Sequence, residues 1–138
     1  MMIIGLVGGL ASGKGTVFEY FKEKGFLGYT ISHLISELMR ENNIPITRKA
    51  QQDFSNDMKR KYGASLWAIK LIEKMNLEKD YIIDGIRNPG EVREFRKLKD
   101  FHLISLDAPQ KMRFERIIQR GDERDPNTWE EFFKLDTR

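Results

Sequence analysis

Residues 8–16 read Gly-Gly-Leu-Ala-Ser-Gly-Lys-Gly-Thr, and this stretch limits the possible folds more than any other part of the chain. The apolar run Met2-Ile3-Ile4-Gly5-Leu6-Val7 comes immediately before it, and a helical pattern from Val17 to Lys24 follows. A buried strand, a glycine-rich turn ending in lysine, and a helix are the context that a phosphate-binding loop requires. Glycines let backbone N–H groups converge on one anion without Cβ clashes. The helix aims the positive end of its dipole at the same point. The expected phosphate-binding residues are therefore Gly8, Gly9, Ala11, Ser12, Gly13, Lys14, Gly15 and Thr16. Lys14 adds a mobile charge that can follow a phosphoryl group between oxygens. Gly8 and Gly13-Lys14 fit the G-x-x-x-x-G-K pattern, but Gly15 follows the lysine and the hydroxyl arrives one place later, at Thr16.

A chain of 138 residues suits one domain with a single core. The net charge of +3 is small and no run of five basic residues occurs, so a nucleic-acid partner is not expected. A protein that binds polyanionic nucleotides accounts for the same excess. There is no cysteine, which removes disulfides and thiolate metal sites. No segment is apolar enough to span a membrane, and the N-terminal run is interrupted by glycines. The expectation is a cytoplasmic enzyme that uses ATP.

Three apolar runs read as buried parallel strands: 2–7, 81–84 and 102–107, with a weaker candidate at 28–32. Helical patterns fill the spaces between them. Leu34–Glu41 and Lys49–Lys61 flank Asn42-Asn43-Ile44-Pro45, and apolar residues recur at helical spacing from Ala64 to Met75. Gly25 is placed to end the first helix. Asn88-Pro89-Gly90-Glu91 offers an N-cap, a first-turn proline and an acid three places on. Thr128-Trp129-Glu130-Glu131 fits a capping box. The helical block from 31 to 76 is too long for one crossover and must form a lobe beside the sheet.

Asp84 closes the strand Tyr81-Ile82-Ile83-Asp84. An aspartate at the tip of a buried strand, downstream of a phosphate loop, is placed to hold Mg²⁺, with Thr16 as the second oxygen. Arg113, Arg116 and Arg120 share one helix face, and Arg124 follows in a loop containing Gly121. Arg113 reads equally well as part of a solvated basic face. Trp67 and Trp129 read as packing residues, and His102 as structural. Two histidines and no cysteine leave no zinc pattern.

The Gly13-Lys14-Gly15-Thr16 ending, the stretch Asp84-Gly85-Ile86-Arg87 and the arginines from 113 to 124 together resemble the P-loop nucleoside monophosphate kinase group. That group includes adenylate kinase and the related dephospho-CoA kinase. Asp-Gly-Ile-Arg and the strand end Asp107-Ala108-Pro109 also resemble small kinase-like proteins of unassigned substrate. The resemblance implies a three-layer α/β P-loop NTPase fold with a parallel sheet, a helical acceptor lobe at 31–76 and a short arginine-rich lid at 119–128. Kinases of this type close the sheet with a further strand, which is expected to be missing here. The implied reaction moves the γ-phosphoryl of ATP, with Mg²⁺, onto a nucleotide or another small phosphorylated acceptor. Arg87 maps onto the arginine that binds the acceptor phosphate, although the proline before it is absent. Arg116, Arg120 and Arg124 map onto the lid and, with Lys14 and Arg87, are the expected catalytic residues.

The stretch from Thr30 to Arg40 resembles the opening of the acceptor lobe. His33 stands where many relatives have an acid nearby, and Arg40 offers a phosphate contact. One alternative is a dephospho-CoA kinase-like enzyme, although Tyr29-Thr30-Ile31-Ser32-His33 lacks the aspartates typical of that group. The other is a nucleotide-binding or regulatory module without turnover.

Overall fold

Four parallel strands pair in the order β2-β3-β1-β4, which places β1 (Ile3–Val7) in the middle of the sheet. β3 (Tyr81–Asp84) lies on one side of β1, with Ile3 opposite Tyr81, and β4 (Phe101–Ser105) on the other, with Ile3 opposite Phe101. β2 (Leu27–Thr30) pairs with β3 at the edge. The computed structural model describes residues 1–9, 11–122 and 125–136.

The period-two alternation of the central strands divides the core into two layers. Ile3, Tyr81 and Ile83 point to the face covered by α2 (Ile31–Glu41), α4 (Leu66–Glu73) and α5 (Pro89–Arg96). Leu34, Met39, Trp67, Leu71 and Phe95 fill that layer. Ile4, Leu6 and Ile82 point to the opposite face, where α1 (Lys14–Glu23) lays down Val17, Phe18 and Phe21. Helices on both faces of a parallel sheet give the expected three-layer α/β architecture. α3 (Arg48–Tyr62) packs beyond α2, and the Trp67 indole donates to Ser55 Oγ at 2.8 Å. A separate cluster of Ile117, Phe132, Phe114 and Leu135 joins α6 (Gln110–Arg120) to α7 (Trp129–Asp136) and reaches Ala11 of the loop. Among the described residues, no helix is long and apolar enough to cross a membrane.

Boundaries depart from expectation where tertiary pairing overrides local pattern. α1 starts at Lys14 rather than Val17, because Gly13 (φ 102°) turns the chain straight into the helix before any apolar spacing begins. α2 starts at Ile31, so the second strand stops at Thr30 rather than 32; Ile31 is buried as a helical residue under Gly85. β4 covers 101–105 rather than 102–107, because its register is set by the five residues of β1. The α5 capping box forms as expected: Asn88 Oδ1 accepts from the Glu91 N–H at 2.9 Å, and Glu91 Oε1 accepts from the Asn88 N–H at 3.1 Å. At α7 the Thr128 hydroxyl accepts from the Glu131 N–H at 3.2 Å. His102 is exposed on β4, with its Nε2 2.7 Å from Asp100 Oδ1.

Candidate functional site

The loop leaves β1 at the carboxyl edge of the sheet, where open parallel sheets gather their ligands. Gly13 occupies the left-handed region, and a Cβ added at Gly13 or Gly15 meets nothing within 4 Å. The space above the start of α1 is thus open to a ligand. Lys14 opens the helix, and its Nζ donates to the Gly8 carbonyl at 2.7 Å and sits 3.9 Å from Asp84 Oδ1. Its side chain is only 12% exposed. Burial lowers its pKa from 10.5 to about 8; Asp84 pulls it back up, while Arg87, Arg48 and Arg113 push it down. Ser12 Oγ is buried and has no hydrogen-bond partner among the described residues. An open cradle, an unpartnered hydroxyl and a cation short of counter-charge fit a bound polyphosphate.

Asp84 ends β3, and its Oδ1 accepts from the Gly85 N–H at 2.8 Å. Gly85 has φ 94°, and a Cβ there would lie 3.2 Å from Ile31 Cβ, so the chain turns away beneath α2 only because the residue is glycine. Arg87 follows in the loop. Its backbone N–H is held by Glu91 Oε1 at 2.7 Å while its side chain is exposed. Glu91 is 1% exposed; burial raises its pKa, against the backbone donors of Arg87 and Asn88 and the charges of Lys59 and Arg87.

These elements enclose a chamber of about 210 Å³ in which Lys14, Arg48, Arg87 and Arg120 surround Asp84. Ser32 and His33, from the first turn of α2, also face it. A cleft of about 240 Å³ shares Ser32, Arg48, Gly85 and Arg87 with the chamber and continues along the polar side of α3, past Gln51, Asn56 and Lys59. Thr16 and Asp84 line a separate shallow hollow beside α1. Among the described residues, no three carboxylates or histidines cluster as a metal cage. Mg²⁺ needs no such cage, because it uses one or two protein oxygens and completes its shell with water and phosphate.

The three described downstream arginines, Arg113, Arg116 and Arg120, have separate positions. Arg120 reaches the chamber. Arg116 donates to the Ala11 carbonyl at 2.8 Å and so braces the loop from outside the chamber. Arg113, which shared a face with them in the sequence, is 7% exposed and is neither solvated nor in the chamber. It binds Ala108 O at 2.9 Å and both carboxylate oxygens of Asp136, one of them at 2.9 Å. That hydrogen bond raises its pKa further; the negative charges of Asp136 and Asp107 act in the same direction, and burial opposes them. Arg124 lies outside the described residues. Arg40 is exposed on α2 and lines neither space, and Arg48, eight residues on, takes that place. Trp129 packs against Phe114 and Phe132 but stays 43% exposed.

The sequence does not single out Arg48, Asp125 or Asp136, and it marks Glu91 only as part of a helix cap. One signal was available for Arg48. It follows the N-cap Thr47, whose hydroxyl accepts from the Ala50 N–H at 3.0 Å, so it places a cation at the positive end of a helix dipole.

Comparison with known proteins agrees with this fold. A family model described as an AAA domain matches residues 4–133. A UPF0200 protein of Pyrococcus abyssi is 35% identical over 99% of this chain and 77% of its own length. Another, from Sulfurisphaera tokodaii, is 32% identical over 97% of this chain and 75% of its own. A shikimate kinase from Acinetobacter baumannii, solved in complex with shikimate, superposes with a TM-score of 0.59 at 16% identity, covering 98% of this chain and 72% of that one. A gluconokinase from Sinorhizobium meliloti superposes with a TM-score of 0.57 at 13% identity, covering 99% and 73%. At such identities the structures establish the fold alone, an α/β P-loop kinase-like fold. The chain belongs to the AAA-domain family through its matched residues and to the UPF0200 proteins through its relatives.

Proposed function

We propose that this protein is a Mg²⁺-dependent phosphotransferase that moves the γ-phosphoryl of ATP onto a nucleotide or another small phosphorylated acceptor. The reading rests on the chamber, where cations from α1, α3, the loop after β3 and α6 converge around Asp84. Phosphoryl transfer asks mainly for positioning and neutralisation of charge, and this chamber supplies both. Lys14 and the amides of residues 8, 9 and 11–16 hold the donor polyphosphate. Thr16 and Asp84 hold Mg²⁺, which supplies charge neutralisation on the phosphates. Arg87 holds the acceptor phosphate at the mouth of the cleft, whose polar α3 wall takes the rest of the molecule, and Arg48 stands with Arg120 at the polyphosphate. Residues 31–76 act as the acceptor lobe and 119–128 as the lid, through which Arg120 and Arg124 act on the transferring group while Arg116 steadies the loop. An ATP-consuming reaction of this kind belongs in the cytoplasm.

His33 on the chamber wall favours a second reading, a hydroxyl acceptor deprotonated by a base, as in dephospho-CoA kinase-like chemistry. The test is calorimetry with ATP–Mg²⁺ on the parent and Lys14→Ala, followed by a transfer assay with the four common ribonucleoside monophosphates, dephospho-CoA and shikimate. Transfer to a monophosphate supports the first reading. Transfer only to the hydroxyl acceptors replaces it with the second. Equal ATP binding by parent and mutant removes both, and tight ATP binding with no transfer to any of them leaves a binding module.

A further inference from the structure

Asp125 lies in the loop between α6 and α7, with its side chain only 2% exposed. Its Oδ1 accepts from Arg48 Nε at 3.0 Å and its Oδ2 from Arg120 Nε at 2.7 Å. One buried carboxylate thus ties the start of α3 to the end of α6. Both arginines line the chamber that holds Lys14 and Asp84, and Asp125 is not part of that lining. It sits behind them. Each guanidinium presents one edge to the carboxylate, which fixes the plane of the rest of the group. Outer carboxylates orient metal-binding histidines by the same logic. Without this anion, both long cationic side chains lose a buried restraint on their rotamers.

We propose that Asp125 is a positioning residue whose carboxylate sets Arg48 and Arg120 as a matched pair, so that the two engage an incoming polyphosphate together. The proposal rests on the phosphotransfer reading of the same chamber. It makes a prediction opposite in sign to simple charge counting. Removing a negative charge near an anion site ordinarily tightens anion binding. Here Asp125→Asn weakens it, because two aimed donors are lost.

The probe is inorganic triphosphate, titrated by calorimetry into the parent, Asp125→Asn, and Arg48→Gln and Arg120→Gln singly and together, with and without Asp125→Asn. Asp125→Asn is expected to weaken triphosphate binding about tenfold. In the parent, either arginine change alone removes most of what the pair contributes, so the double change falls well short of the product of the singles. In the Asp125→Asn background the two changes multiply independently. Unchanged or tighter binding by Asp125→Asn overturns the proposal, as does an additive cycle in the parent. If Asp125→Asn does not fold, the cycle in the parent decides alone. A parent that binds no triphosphate refutes the phosphotransfer reading and this inference with it; a parent that binds while the cycle is additive refutes the pairing only.

Discussion

Lys14 is held in the folded chain as a cation that the fold itself does not favour. Its pKa falls from 10.5 to about 8, chiefly by burial. A tenfold change in proton affinity is worth about 1.4 kcal/mol, so in the folded state the charged form is disfavoured by about 3 kcal/mol relative to the unfolded chain. The sign follows from linkage. Between about pH 8 and 10.5 the unfolded chain keeps a proton that the folded chain has released, so stability rises with pH across that window. Below pH 8 the penalty is fully present. Lys14→Met keeps most of the volume and removes the charge, and is expected to stabilise the nucleotide-free protein at pH 7 by about 1–3 kcal/mol while abolishing ATP binding. Chemical denaturation of parent and mutant from pH 7 to 10 measures this, and the gap between them should close as pH rises. A polyphosphate beside Lys14 restores its charge, so ATP binding near pH 8.5 should take up a proton, seen by calorimetry in buffers of different ionisation heat. A mutant less stable than the parent at pH 7, or a gap that does not change with pH, refutes the reasoning.

The loop and the three main strands were legible because their signals are local: glycines at fixed offsets, and apolar runs long enough to be buried. What the sequence could not show depends on where distant segments meet. Arg113, Arg116 and Arg120 share a helix face by spacing, yet they go to Asp136 in α7, Ala11 in the loop and Asp125 in the next turn. Spacing fixes a direction from the helix axis, but the partner waiting there comes from elsewhere in the chain. The sequence points to Arg40 rather than Arg48 because α2 reads as the start of the lobe, and only the fold shows α3 turning its own N-terminus back toward Lys14. The sequence marks Glu91 as a helix cap, which it is. Its second bond, to the backbone of Arg87, makes it also a support for the site, and that required knowing how tightly the loop after β3 closes.

Asp84→Asn keeps the shape of the β3 tip and removes its charge. Mg²⁺-dependent turnover should fall by at least about a hundredfold while metal-free ATP binds no more weakly; an unchanged Mg²⁺ dependence marks Asp84 as a turn cap only. Glu91→Ala leaves the N–H groups of Arg87 and Asn88 without their acceptor in a half-buried turn. It should lower unfolding stability by about 2–4 kcal/mol in urea titration, and a loss below about 0.5 kcal/mol would show that water serves those groups equally well. The last prediction concerns division of labour between Arg87 and Arg120. Arg87 stands just past β3 where the chamber opens into the cleft, so on the proposed reading its contact with the acceptor phosphate would form in the ground state. Arg87→Ala should therefore raise the acceptor KM far more than the ATP KM, by the about 1.5–3 kcal/mol that a charged hydrogen bond contributes. Arg120 comes from the end of α6 beside the loop, and its charge matters most once the phosphoryl group is in transit. Arg120→Ala should lower kcat with smaller changes in either KM. Steady-state kinetics with each substrate varied separates the two, and an Arg87→Ala effect confined to ATP, or an Arg120→Ala effect confined to acceptor KM, would reverse the assignment of donor and acceptor sides.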